Sequence, residues 1–261
     1  MATPNKWAVR SVARATFYDL VTNNAIAYLD TLKTSGVNTT SETSYARGGD
    51  GNVKLVGFSS NKESRITLED AIFDNTVLGM LTGNDVVTGV AQDIYKREIL
   101  EVVGGKVTLS KTPKGDLLSV YSLKVDGTHD ELQVEGIPVA DEGTYELVGK
   151  ELTVDTALNG RKIAVYYMVE SDTTATEIKV TSDAFGGSFK LVLDVLVRDY
   201  YTKKDFAAQL IIPNGKIEDE WEFSFTPDGD PATLSIPIEV LRDPSSTDMW
   251  TMKIYDDSLI Q

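Results

Sequence analysis

The sequence has no cysteine and a single histidine, His129. Without thiols there can be no disulfides, thiolate zinc sites, iron–sulfur clusters or cysteine nucleophile. One histidine likewise excludes a two-histidine metal site and a histidine-rich acid–base centre. No run approaches the ~20 consecutive apolar residues of a membrane helix. The opening stretch from Met1 to Trp7 lacks the apolar core of a secretory signal, so secretion by the usual route is not expected. Without that route, the acceptor triplet Asn38-Thr39-Thr40 reads as chance. Basic residues are also scarce, with 25 Lys and Arg against 40 Asp and Glu and a net charge of −15. That balance argues against a protein that grips nucleic acid through its phosphates.

The charge is unevenly placed. Residues 1–68 carry eight basic and five acidic side chains, whereas residues 69–261 carry 17 basic and 35 acidic ones. The bland reading of this excess is a solvated surface. The functional reading is a surface that must not adhere to a polyanion.

What is present is an ordinary globular composition, 41% hydrophobic and 25% charged over 261 residues. That suffices for one large domain or two modest ones. After residue 100 the chain reads as short strands: 117–125, 162–169, 177–181, 189–197, 206–212, 217–225, 233–240 and 249–255. Asp126-Gly127 and Asn159-Gly160 are turn pairs, and Pro213-Asn214-Gly215 predicts a hairpin between two of the runs. Strands at this spacing mean a β-sandwich or barrel.

One helix is expected near 68–81. Thr67-Leu68-Glu69-Asp70 has the form of a capping box, Phe73, Val77 and Leu81 recur at helical spacing, and Gly83 supplies a stop. Phe73 and Leu81 should be buried where this helix crosses the sheet. Residues 20–33 suit either a helix or a strand, and 34–52 reads as a long Ser/Thr/Gly-rich loop. From Val102 to about Thr176 the sequence is turn-rich and helix-free. This suggests a small β-sandwich module, 102–176, inserted into a discontinuous domain of 1–101 and 177–261.

No catalytic signature is present. There is neither a phosphate-binding loop nor a nucleophile elbow. Gly48-Gly49-Asp50-Gly51 lacks the third glycine of a dinucleotide fingerprint and precedes a strand, so a glycine-rich loop is the better reading. Asp228-Gly229-Asp230 lacks the acidic spacing of a calcium loop and reads as a tight turn. His129 follows a hairpin turn, and nothing nearby supplies the partners of a general base. The expectation is a non-enzyme with no cofactor and no metal.

The segment Ile217-Glu218-Asp219-Glu220-Trp221-Glu222-Phe223 is the most informative local pattern. In a strand, Trp221, Phe223 and Phe225 would share one face, and Glu218, Glu220 and Glu222 the other. Three carboxylates in a row need solvent, a cation or a basic partner. The face could simply be solvated, or it could line an aqueous channel or meet another subunit.

Several segments together resemble the tail tube (major tail) proteins of tailed bacteriophages. They are the run from Tyr45 to Phe58, Asn61 to Phe73, Leu78 to Gly83, Thr181 to Phe185, Arg198 to Asp205, Leu210 to Ile217, Asp228 to Ala232, and Met252 to Asp256. The middle runs, Tyr145 to Val154 and Gly160 to Tyr167, resemble an immunoglobulin-like β-sandwich insertion found in some larger members. The resemblance implies a mainly β fold with one packed helix. It also implies a structural virion protein whose rings, commonly hexameric, stack into a hollow tube through which genomic DNA passes without specific binding. Its implied partners are other copies of itself, the tape measure, terminator and sheath proteins, with no membrane insertion. Its implied location is the virion tail, after assembly in the host cytoplasm. The acidic wall fits, because a basic lumen would hold DNA and stall its transit. Two other readings stand beside it: a capsid decoration or other head-surface protein, and a carbohydrate-binding β-sandwich, which would need a surface aromatic platform.

Overall fold

A computed structural model describes residues 3–222 and 232–259. The fold is mainly β with one α-helix, in β-sandwich or near-barrel sheets. The chain divides into two compact units. Unit 1 combines residues 1–86 with 178–261, and unit 2 is residues 87–177.

Unit 1 contains β1 (Trp7–Val9), β2 (Arg14–Tyr18), β3 (Ala25–Leu29), β4 (Leu32–Gly48), β5 (Val53–Asp70) and helix α1 (Asn75–Thr82). Unit 2 supplies β6 (Val87–Thr88), β7 (Asp93–Glu101), β8 (Lys106–Thr108), β9 (Ser119–Leu123), β10 (His129–Glu135), β11 (Thr144–Val148), β12 (Glu151–Val154), β13 (Lys162–Glu170) and β14 (Thr176–Glu177). The chain then returns to unit 1 with β15 (Ser188–Asp199), β16 (Asp205–Ile217), β17 (Leu234–Val240) and β18 (Thr251–Tyr255).

The unit 1 sheet runs β3-β2-β15-β16-β17-β5-β4, with β1 also on β15 and β18 also on β16. All its ladders are antiparallel. Alternation decides the inward face. In β17, Leu234, Ile236, Ile238 and Val240 are buried, and they meet Ile66 and Leu68 of β5 and Leu191, Leu193 and Ile212 of the central strands in one core. Phe17 and Phe189 meet edge to face at 4.9 Å, the arrangement that ring quadrupoles favour. Of residues 20–33, Ala25–Leu29 form β3, with Ala25, Ala27, Tyr28 and Leu29 paired to β2, and Leu32 begins β4, so the ambiguous segment holds strand and no helix.

Two expectations are corrected here. The helix starts at Asn75, not near 68. Thr67 to Asp70 end β5, where Leu68 is paired on both sides, with Ser35 and with Ile236. The cap is Asp74, whose carboxylate accepts from the N–H groups of Thr76 at 2.7 Å and Val77 at 3.1 Å. Val77, Leu78 and Leu81 are buried, while Phe73 precedes the cap and is half-buried against the same core. Second, the hairpin at Pro213-Asn214-Gly215 is absent. Those residues lie within β16, where Leu191 pairs with Ile212 and Phe189 with Gly215, so Pro213 and Asn214 oppose Lys190 alone. The signal read as a turn is a β-bulge, a place where a strand tolerates proline.

Unit 2 has its own core, built on Val120, Leu152, Ile163, Val165 and Tyr167. Its seven-stranded sheet runs β7-β13-β9-β10-β11-β12-β8, antiparallel except between β10 and β11. β7 pairs along the full length of β13, from Asp93 opposite Glu170 to Glu101 opposite Lys162, so the unit begins before residue 102. A two-residue ladder of β6 with β14, Val87 opposite Glu177 and Thr88 opposite Thr176, brings its two ends together.

Candidate assembly surface

The segment 34–52, expected as a loop, is the first strand of a long hairpin. β4 and β5 pair from Leu32 opposite Asp70 to Gly48 opposite Val53. The β-branched Thr34, Val37, Thr39, Thr40 and Thr43 and the aromatic Tyr45 favour extended backbone, and the turn has the residues its geometry demands. Gly49 (φ 77°), Gly51 (φ 85°) and Asn52 (φ 50°) occupy left-handed conformations, and Asn52 N–H donates to the Gly49 carbonyl at 3.1 Å.

The base of this arm is fixed in unit 1. Ile66 and Leu68 are buried there, the hydroxyls of Thr39 and Ser64 meet at 2.8 Å, and Trp250 Nε1–H donates to Thr39 Oγ1 at 3.3 Å. Arg65 forms an ion pair with Glu218. Past Ser64, both faces of the ribbon are exposed. One face pairs Ser44 with Phe58 and Ala46 with Val56; these two large side chains are 60% and 53% exposed. On the other, the Tyr45 ring covers Gly57, where a Cβ would sit 3.2 Å from Tyr45 Cε1. The Lys54 ammonium lies 3.8 Å from the centre of that ring. Asn61, at φ 48°, donates from Nδ2 to Glu42 Oε2 at 2.8 Å and pins the register shift between Thr40 and Glu42.

A two-stranded ribbon with no buried face has little stability of its own. An arm held rigid at its base and apolar near its tip is suited to lie against another protein surface. The YomU/Tube protein family matches the chain over residues 7–252. The chain belongs to that family. No curated protein gives a significant match. Membership accords with the tail tube resemblance and makes this a structural tube protein of phage, with a place in the virion tail.

The three candidate glutamates do not share a strand face. β16 ends at Ile217, and residues 218–222 lie outside any strand. Glu218 is held by Arg65, Glu220 and Glu222 are exposed, and Trp221 is half-buried against the unit 1 core. Phe223, Phe225 and the Asp228-Gly229-Asp230 turn lie outside the described residues. The Gly48–Gly51 loop is the arm's turn. His129 is exposed; its Nε2 is 2.9 Å from the Tyr166 hydroxyl and its ring stacks on Tyr121. Among the described residues no group of three His, Asp or Glu side chains could hold a metal ion. The arm itself was missed from sequence because polar residues on both faces erase the period-two signal. The pairing of a Gly-Gly-Asp-Gly turn with flanking Tyr45 and Phe58 was the available clue.

Proposed function

We propose that copies of this chain associate into rings, six subunits to a ring, that stack into the tail tube and form the conduit for DNA ejection. The observation that carries this reading is the β4–β5 arm. An arm that reaches a different surface on the next copy makes a heterologous contact, and such contacts propagate into rings or filaments instead of stopping at a dimer. Family membership supports the same conclusion. Tape measure, terminator and sheath proteins would be its partners in the tail, and assembly would take place in the host cytoplasm. Unit 2 would be an insertion into the tube-forming unit.

The acidic excess after residue 68 suits a lumen that DNA must slide through. Exposed Glu220 and Glu222 are candidates to line it, with Glu218 already neutralised by Arg65. Replacing Glu218, Glu220 and Glu222 with lysine should slow DNA release from intact particles in a salt-dependent way, while the glutamine triple variant should not. Normal release from the lysine particles would remove this segment from the lumen.

Electron microscopy of the purified protein tests the assembly itself. The wild-type chain should give tubes, and Val56→Asp with Phe58→Asp should give none while its melting transition is unchanged. Small closed oligomers from the wild-type chain would favour a head-decoration protein instead.

A further inference from the structure

Unit 2 carries an aromatic and cationic cluster that lies outside its core. It lies on the sheet face opposite the buried side chains of Ile163, Val165 and Tyr167. Arg97 of β7 pairs with Tyr166 of β13, and Tyr121 of β9 pairs with Ala164 of β13, which places Arg97, Tyr166 and Tyr121 on that outer face. The His129 ring from β10 stacks on Tyr121, 4.3 Å between centres and 3° from parallel. Tyr166 stands edge-on to both rings, 5.7 Å from His129 and 6.5 Å from Tyr121. Arg97 Nε–H donates to the Tyr166 hydroxyl at 2.9 Å, and that hydroxyl is 2.9 Å from His129 Nε2.

The charge on this face is unanswered. Among the described residues no carboxylate forms an ion pair with Arg97, so its two terminal nitrogens keep their donors free while Nε is anchored. The nearby acids are already engaged. Glu98 points to the other side of the sheet, toward Lys96, Ser110 and Tyr167, and Asp130 is held by Arg161 at 2.6 Å. An oriented guanidinium beside a ring platform is thus left open on an otherwise acid-rich unit.

We propose that this face binds a hexuronic acid unit of an acidic polysaccharide. The C–H face of the sugar would lie on the outward face of the exposed His129 ring, which Tyr121 backs from the other side, and its carboxylate would take two parallel hydrogen bonds from Arg97. One cation matches one carboxylate. A single-stranded nucleic acid could stack on the same ring, but it needs a run of cations along its backbone, and the further cation that β13 sets on this face, Lys162, stands opposite Glu101.

The test titrates the full-length protein with a galacturonic acid trimer, with the neutral galactose trimer and with a short single-stranded oligonucleotide, read by calorimetry and ligand-observed NMR. The acidic trimer should bind at millimolar concentration and the other two should not. Arg97→Gln should weaken binding roughly tenfold or more, as expected for loss of a charge-assisted pair. Arg97→Lys should recover only part of the loss, and His129→Ala should weaken binding with an unchanged melt. Lys106→Gln, which removes a cation paired with Glu151 elsewhere on the unit, should leave binding intact. No binding of the acidic trimer, equal loss in Lys106→Gln, equal binding of the neutral trimer or displacement by the oligonucleotide would each overturn the proposal.

Discussion

Glu98 faces the interior side of its sheet beside the fully buried Tyr167. Burial works against its ionisation, but hydrogen bonds from Ser110, Tyr167 and Lys96 outweigh burial and hold the carboxyl down to about 2, from an ordinary 4.5. A carboxyl depressed on folding stabilises the fold above its unfolded value. That contribution is lost as pH falls from about 4.5 through about 2. Its upper bound is about 3 kcal/mol, which solvent screening of the carboxylate lowers. Glu98→Gln should remove it at neutral pH and flatten the acid side of the stability curve over that window, measured by urea denaturation at a series of pH values. An unchanged acid limb would mean another group dominates. Gly83 is a second sensitive position. It closes α1 at φ 67°, and a Cβ there would sit 2.3 Å from the Phe185 carbonyl oxygen. Gly83→Ala therefore combines left-handed strain with a backbone clash, and should cost more than the ~1 kcal/mol of conformational strain alone, as seen in thermal melts.

At the level of elements, strands with one buried face were legible and those without were not. β15 and β17 showed themselves through apolar alternation because one side of each meets the core. β4 alternates nothing, since its distal residues are solvated on both sides, and so it read as a loop. The helix was found but placed too early, because Thr67 to Asp70 fits both a capping box and a paired strand end, and only the partners Ser35 and Ile236 decide between them. The described part of the run 217–225 shows the opposite case: its alternation is good, yet residues 218–222 lie outside any strand, and among the described residues the ladder of β16 with β17 runs from Gly215 to Ile217. Within α1, Leu81→Ala should cost about 2–5 kcal/mol, and half-buried Phe73→Ala should cost less. For the arm, amide exchange in residues 42–60 should be fast in the free subunit and slow in tubes. Equal protection in both would place the arm outside the assembly contact.

At the scale of the whole molecule, each unit has its own core, and the β6–β14 ladder sets Val87 opposite Glu177. Removing 88–176 and joining the ends with a short Gly/Ser bridge should leave a cooperative fold that still forms tubes. Loss of the cooperative melt would show that unit 1 depends on the removed segment.

The discontinuity of unit 1 also sets an order of events during synthesis. β2 and β5 wait for β15 and β17, which emerge only after the intervening residues 87–177. At ribosomal speeds that interval is roughly 5–18 s. Unit 2, whose strands all pair within itself, can fold in the meantime, while the first half of unit 1 holds a hairpin without the sheet that anchors it. Nascent chains stalled before residue 240 should accordingly show protease-resistant unit 2 and a cleavable first half. The polypeptide cannot complete the sheet of unit 1 until β15 to β18 have left the ribosome, so translation itself sets the moment at which the unit 1 surface first exists.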